Sequence, residues 1–286
     1  MKTIEIEEWD EIIEPQGSMF SLRLREVWAY RDLLSLFVMR DFKAFYAQTI
    51  FGPLWFFAQP AFTTFIYTVI FSNVAKLSTD GLPAPLFYLL GIIGWNYFSS
   101  CLNRVGITFR SNQHIFGKVY FPRLIVPLSV VFSDLLRLLL QLFLFLIVYL
   151  WYFLQGSAQA VSPNWAILLF PLCIILLAGL SLGFGMLITS LTTKYRDMQM
   201  LLQFGVQLLM YVTPVIYPLS LMPERWKWAI VMNPLTGILE TLRYGFLGVG
   251  SFSYYYLSYS IFFTIVIFLF GTVIFNKTEK NFMDTV

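Results

Sequence analysis

This chain of 286 residues contains few charged residues: only 12% are Asp, Glu, Lys or Arg, about half the share in an average soluble domain. Hydrophobic residues make up 58% of the chain and aromatic residues 19%. A water-soluble fold of this size cannot hide that much apolar surface from solvent. The composition therefore excludes a soluble enzyme, a disordered protein and a disulfide scaffold. It predicts that several segments use a lipid bilayer as their solvent.

Residues that bind metals or carry out catalysis are also scarce. The two cysteines, Cys101 and Cys173, lie in apolar segments and are interpreted as small core residues, and His114 is the only histidine. These residues provide no zinc or iron ligand set. The sequence has no phosphate-binding loop, no carboxylate cluster suited to glycosyl transfer, and no basic groove typical of nucleic-acid binding. We expect a conduit without its own catalytic centre, cofactor or metal, powered by another subunit.

Six apolar runs approach the roughly 20 residues that a helix needs to cross a bilayer. They cover 54–73, 86–103, 124–153, 165–191, 200–217 and 254–275. Prolines and glycines interrupt the apolar segment 219–253, which favours a re-entrant helical pair over two further spans. The predicted fold is an all-α membrane protein with a six-span domain over 54–276.

Lys and Arg are distributed unevenly between the segments that connect these runs. Fourteen of them lie in the N-terminal segment, the second and fourth connections and the C-terminal segment, against four in the other connections. Basic connections stay on the cytoplasmic side of a membrane. We therefore expect both termini to be cytoplasmic, with an acidic tail over 1–21 that is no secretory signal and a second tail over 277–286.

The segment 22–53 is predicted to contain an amphipathic helix in the plane of the lipid headgroups. Its apolar positions recur at helical spacing at Tyr30, Leu33, Leu34, Phe37 and Val38. Both a plain membrane anchor and a helix that frames a cytoplasmic entrance fit this pattern. Within the third run, Asp134 and Arg137 stand three residues apart and can pair on one helix face.

Two runs carry amides and aromatic rings at helical spacing. These residues are Phe56, Gln59, Thr63 and Tyr67 in the first run, and Gln203, Gln207 and Tyr211 in the fifth. Polar groups in a bilayer need partners, which a water-filled path supplies. Aromatic rings beside amides also suit a sugar, because the ring covers a C–H face and the amide binds hydroxyl groups. In a chain with this share of aromatic residues, core packing or an aromatic belt at the membrane interface explains the same pattern equally well.

Several strings in the chain, taken together, resemble a known family. They are MRDFK at 39–43, YAQTIFGPLW at 46–55, KVYFPR at 118–123, YRD at 195–197 and TPVIYP at 213–218. With these strings, the sequence from about Leu22 to Phe275 resembles the permeases of type 2 ABC exporters, in particular the polysaccharide and O-antigen exporter group.

This resemblance implies a homodimer of six-span permeases in the bacterial inner membrane, joined to two copies of a separate ATPase subunit that binds ATP and Mg. It implies that a lipid-linked glycan leaves through a path between the permeases, lined by the residues of the first and fifth runs. The basic connection 104–123 would dock the ATPase. Without this resemblance, a simple turn explains the same segment. The docking candidates are Arg104, Arg110, Ser111, Asn112, Gln113, His114 and Lys118. The re-entrant helices within 219–253 would form an outer gate with Trp226, Trp228, Asn233, Glu240 and Arg243.

Two other functions stay open from the residues alone. One is a type 2 exporter of small amphiphiles or single lipids, which would open to the bilayer. The other is a non-catalytic scaffold of a glycan synthesis complex. A secondary transporter is disfavoured, because titratable groups are scarce within the apolar runs.

Overall fold

A computed structural model of the chain describes residues 24–116, 118–119, 121–155, 162–195 and 197–282. The predicted acidic tail over 1–21 lies outside the described residues. Over the described ranges the chain is helical and contains no β-strand, which confirms the all-α prediction. The helices, in chain order, are α1 (Leu24–Ala29), α2 (Arg31–Tyr46), α3 (Trp55–Tyr67), α4 (Ala84–Val105), α5 (Thr108–Ser111), α6 (Gln113–Phe116), α7 (Ile125–Leu154), α8 (Phe170–Lys194), α9 (Met198–Val212), α10 (Glu224–Val231), α11 (Pro234–Leu247) and α12 (Tyr254–Phe282).

Four helical stretches of the described chain are long and apolar enough to cross a membrane. They are Gly52–Val74, in which α3 continues as a π-helix, Ile125–Leu154, Trp165–Lys194 and Tyr254–Glu279. They coincide with the first, third, fourth and sixth predicted runs, so the protein is a multi-pass membrane protein. A count of six spans stays a prediction.

The second and fifth predicted runs form helices of a different character. Helix α4 has 22 residues, but polar side chains from Asn96 onwards make it less apolar than a typical span. Helix α9 has 15 residues and rises about 22 Å, against a hydrocarbon core of about 30 Å. Length and composition alone therefore do not mark these two helices as spans.

Helix α4 lies at the centre of the bundle and packs against α3, α7, α8 and α11. Its residues from Leu86 to Trp95 are all buried. Cys101 on α4 and Cys173 on α8 are fully buried free thiols, as expected for core residues.

Glycines allow α8 and α12 to pack closely. A Cβ added to Gly179 would lie 2.7 Å from Thr264, and one added to Gly183 would lie 2.7 Å from Ile267. Two small residues four positions apart on one helix face let the backbones of membrane helices approach each other. Any larger side chain at Gly183 would push these two helices apart.

A helix forms where the N-terminal periodicity predicts one, and it packs on the bundle. Helix α2 contacts α7, and Phe37 is buried with its ring 5.8 Å from that of Phe121. Leu33 and Leu34 are half-buried against the core. The apolar face of α2 therefore meets protein as well as the surrounding solvent or lipid.

The two remaining predicted segments are also helical. The segment 219–253 contains α10 and α11, which follow each other with a two-residue break at Asn233. Helix α12 runs on to Phe282, so the described part of the predicted tail over 277–286 continues the last helix.

Candidate functional site

The connection between α4 and α7 is a compact knob anchored by aromatic residues. The ring of Phe109 in α5 stacks 4.8 Å from that of Phe275 in α12. The ring of Phe116 in α6 lies 5.7 Å from that of Phe121. Since both anchors are buried, the short helices α5 and α6 are held against the bundle rather than left as a loose turn.

Most of the predicted docking residues lie on the outer side of this knob. The exposed ones are Arg110, Ser111, Gln113, His114 and Lys118. Asn112 is half-buried, and its side-chain amide donates a hydrogen bond to the Thr108 carbonyl at 3.0 Å. The Nη1 of Arg110 donates to the Oε1 of Gln199 on α9 at 3.2 Å. The knob therefore presents a polar outer surface and contacts the first turn of α9.

Arg104, the remaining docking candidate, is occupied inside the bundle. Its Nη2 lies 2.9 Å from the Oδ2 of Asp41 on α2, and its Nη1 lies 3.0 Å from the Oδ1 of Asp134 on α7. The same Nη1 donates to the Oγ of Ser133 at 3.0 Å. Arg104 thus links α4 to α2 and α7, directly before the knob begins.

Two further arginines complete this group, which we call the ionic node: Arg40, Asp41, Arg104, Asp134 and Arg137. The Nη1 of Arg137 lies 2.9 Å from the Oδ1 of Asp134, which confirms the pairing that their spacing predicts. Arg40 pairs with Asp41 at 2.8 Å. Three cations and two anions leave the node with a net positive charge.

A cavity of about 220 Å³ lies beside the ionic node, between α2, α3, α4 and α7. Gln59 and Phe56, two of the predicted path residues, are part of its wall. Phe56 is only 2% exposed, and its ring stacks 5.2 Å from the rings of both Phe42 and Phe45. Phe56 therefore packs within the wall of this cavity and does not face an open surface.

Sequence reasoning missed the polar side chains that line this cavity from α4 and α7. They are Asn96, Ser99, Ser100, Asn103 and Gln141. The signal was present, because the four α4 positions recur at spacings of three, four and seven, which is one face of a helix.

The other predicted path residues lie on α3 and α9. Gln203, Gln207 and Tyr211 are exposed, and their spacing of four places them on one face of α9. The hydroxyl of Tyr67 on α3 lies 3.9 Å from the Sδ of Met210 on α9, so the two helices that carry the predicted stripe are neighbours. Thr63 is half-buried, with its hydroxyl donating to the Gln59 carbonyl at 2.9 Å. Exposed amides in a bilayer are costly unless water or another protein surface covers them.

The predicted gate residues separate into surface and interior groups. Trp226 and Trp228 on α10 are exposed, whereas Glu240 and Arg243 on α11 are buried. Asn233 caps α11: its Oδ1 accepts from the Leu235 N–H at 3.1 Å, and its Nδ2 donates to the Thr213 hydroxyl at 2.8 Å.

Glu240 and Arg243 form an ion pair that fastens α11 in place. The Oε1 of Glu240 lies 3.1 Å from the Nη1 of Arg243, and its Oε2 accepts from the backbone N–H of Ser251 at 3.0 Å. The Nη2 of Arg243 donates to the Val215 carbonyl at 2.7 Å, and its guanidinium lies 3.9 Å from the ring centroid of Phe87 on α4. This pair therefore holds three elements together: α11, α4 and the segment that follows α9.

Comparison with known proteins gives consistent matches over most of the chain. The family model of the ABC-2 type transporter matches residues 32–247, from the beginning of α2 to the last residue of α11. The O-antigen export system permease protein RfbA of Klebsiella pneumoniae is 29% identical over 253 residues, which are 88% of this chain and 94% of that relative. RfbA of Myxococcus xanthus is 27% identical, covering 77% of this chain and 82% of the relative. The polysialic acid transport protein KpsM of Escherichia coli is 23% identical, covering 86% and 93%.

Proposed function

Since this chain belongs to the ABC-2 type transporter family, we propose that it is the permease subunit of an ATP-driven exporter of a lipid-linked polysaccharide. The substrate class follows the names of its relatives, which are O-antigen export permeases and a polysialic acid transport protein. The structural observation that carries the proposal is the exposed stripe of amides and a phenol on α9. Such a stripe suits a hydrated sugar chain and is costly against lipid.

In the proposed mechanism, two copies of the chain face each other across this stripe. Gln203, Gln207 and Tyr211 of α9 then line the path together with Gln59 and Thr63 of α3. Tyr211 offers its ring to the C–H face of a sugar, and the amides exchange hydrogen bonds with successive hydroxyl groups. A second copy removes the cost of exposing these polar groups to lipid, because the stripes of both copies then border a shared aqueous path.

ATP hydrolysis occurs on the separate ATPase subunit with which ABC-2 permeases work. We place two copies of that subunit against the knob, where exposed Arg110, Gln113 and His114 offer hydrogen-bond donors and acceptors. Motion of the knob reaches α9 through the hydrogen bond from Arg110 to Gln199 and reaches α12 through the stacked rings of Phe109 and Phe275.

The proposed topology has six spans and both termini in the cytoplasm of a bacterial cell. The distribution of Lys and Arg supports this orientation. Helices α4 and α9 then complete the set of spans. Helix α10 has eight residues and rises about 12 Å, which is too short to cross, and the buried 14-residue helix α11 follows it after a two-residue break. The two helices therefore suit a re-entrant pair at the outer mouth.

ATP turnover by the purified complex tests this function. The chain is co-expressed with a candidate partner ATPase subunit, and turnover is measured with a lipid-linked glycan, with a phospholipid alone, and with neither. We expect a stable complex whose turnover rises only with the glycan. Stimulation by phospholipid alone would instead support an exporter of small amphiphiles. Failure to form any complex would support the scaffold, and ATPase activity of the isolated chain would contradict the proposal outright.

A further inference from the structure

The cavity beside the ionic node is lined by side chains that both donate and accept hydrogen bonds. The amides and hydroxyls in its wall are those of Gln59, Asn96, Ser99, Ser100, Asn103 and Gln141. Among the described residues that line it, the charged side chains are those of Asp134 and Arg137, and their charges cancel. A ligand that matches this wall is therefore neutral and offers both donors and acceptors.

Three buried atoms of this wall have no hydrogen-bond partner in the described part of the chain. They are the Oδ2 of Asp134, the Oδ1 of Asn103 and the Nε of Arg137. The other oxygen of Asp134 pairs with Arg104 and Arg137, and the Nδ2 of Asn103 donates to the Ser99 carbonyl at 2.8 Å. Unpaired buried groups cost free energy that a ligand recovers. They require two donors and one acceptor from that ligand.

This requirement separates the simple ligand groups from each other. A phosphate accepts hydrogen bonds but leaves Asp134 and Asn103 without a donor. An ammonium group donates but leaves the Nε of Arg137 without an acceptor. Hydroxyl groups both donate and accept, so a molecule with several neighbouring hydroxyls satisfies all three atoms. A sugar is such a molecule.

The size and position of the cavity suit one sugar residue. Its volume of about 220 Å³ equals the share of about seven water molecules in the liquid, which is room for one pyranose ring with its hydroxyls. Its wall includes the exposed side chains of Phe45 and Gln59, so the cavity lies at the surface of the bundle. Gln59 also belongs to the proposed export path, and the cavity therefore borders that path.

We propose that this cavity is a subsite for a single sugar residue of the exported glycan. Two hydroxyl groups of the sugar donate to the Oδ2 of Asp134 and the Oδ1 of Asn103, and a third oxygen accepts from the Nε of Arg137. The subsite rests on the proposed export function and adds to it a place beside α3 and α4 where the glycan is held. Each hydrogen bond contributes little in net terms, so the sugar can leave again as the glycan advances.

Photocrosslinking in cells tests the subsite in the full-length chain, co-expressed with a candidate partner ATPase subunit. The photoreactive residue p-benzoylphenylalanine replaces Phe45 at the cavity, Tyr211 on the proposed path, or Phe143, an exposed residue of α7 outside the cavity. Each replacement exchanges one aromatic side chain for another. Captured glycan is detected through metabolic labelling of its sugars. We expect capture at Phe45 and Tyr211, and background at Phe143.

Three substitutions in the chain labelled at Phe45 show whether the sugar is bound there. Asn103→Leu keeps the approximate size of the side chain and removes an acceptor, so it should lower capture about fivefold. Ser99→Phe fills the cavity and should abolish capture. Leu139→Phe adds the same ring at an exposed position of α7 outside the cavity and should leave capture unchanged. Membrane abundance and ATPase co-purification are measured for each variant.

The crosslinking pattern separates failure of the subsite from failure of the export function. Capture at Tyr211 but not at Phe45 overturns the subsite and leaves the export function in place, because the cavity then holds water only. Capture at neither position overturns both. Capture at Phe45 that Asn103→Leu and Ser99→Phe leave unchanged also overturns the subsite, since the glycan would then pass the cavity without entering it.

Discussion

Replacing Asp134 by asparagine should destabilise the folded chain by about 3 kcal/mol, the lower end of the range for breaking a buried ion pair. The Asp134 side chain is 2% exposed and lies within 3.0 Å of both Arg104 and Arg137. Asparagine keeps the size of the side chain but not its charge. Since Asp41 still pairs with Arg104, Arg137 is the cation left without a carboxylate, and the lower end of the range applies.

Two other ion pairs of the chain test whether burial decides the cost, because their residues have the same sequence spacing as Asp134 and Arg137. Glu224 with Lys227 and Glu240 with Arg243 are also three residues apart on a helix. The Glu224 side chain is 88% exposed, so Glu224→Gln should cost less than about 0.5 kcal/mol. The Glu240 side chain is 2% exposed, so Glu240→Gln should cost at least as much as Asp134→Asn.

Equilibrium unfolding in mixed micelles, with a denaturing detergent titrated into a mild one, measures these differences. The double mutant of Asp134→Asn with Arg137→Gln isolates the coupling between the two groups. We expect a smaller total loss than the sum of the single losses, because the second substitution removes the unpaired cation. Equal destabilisation by Asp134→Asn and Glu224→Gln would refute the reasoning, since burial would then not decide the cost.

Three further predictions concern packing, transport and docking. Gly183→Ala should destabilise the chain by about 1–3 kcal/mol through overpacking, because the new Cβ would lie 2.7 Å from Ile267. Gly205→Ala, with nothing within 4 Å, should leave stability unchanged or raise it by up to about 1 kcal/mol in the same unfolding assay. Gln207→Ala should lower glycan export in cells at unchanged membrane abundance, and normal export would remove this residue from the path. Arg110→Glu should reduce the amount of ATPase that co-purifies without shifting the unfolding midpoint, and full recovery of the ATPase would contradict docking at the knob.

The long apolar runs predict most of the helices because each turn of those helices faces lipid or the core. The third run, 124–153, corresponds to α7 at Ile125–Leu154 almost residue for residue. The fifth run, 200–217, instead forms a helix that ends at Val212. Pro214 explains the difference, because the residue before a proline is disfavoured in the helical conformation, and Thr213 is extended. An apolar run thus indicates where the chain meets lipid, whereas prolines decide where its helix stops.

Local spacing predicts the pairing of Asp134 with Arg137 but not the rest of the ionic node. The link from Arg104 to Asp41 joins residues 63 positions apart, and no periodicity connects them. For the same reason Arg104 resembles a loop cation in sequence, although its guanidinium lies between two carboxylates. Glu240 and Arg243 likewise look in sequence like gate residues of the interrupted apolar segment 219–253, whereas α11 places both side chains in the core.

The knob is attached to the bundle by contacts of different strength, and this difference determines which helix moves when the knob is displaced. Arg104 fixes the end of α4 to α2 and α7 through the half-buried carboxylate of Asp41 and the buried carboxylate of Asp134, and the ring of Phe109 is fully buried and stacks on Phe275 of α12. In contrast, α9 buries only Leu202 and Val206 of its 15 residues, and the hydrogen bond that links it to Arg110 of the knob is exposed. A helix with few packed contacts shifts at lower cost than one held by a buried ion pair. Displacement of the knob should therefore move α9, the helix that carries the polar stripe, before it disturbs the central bundle.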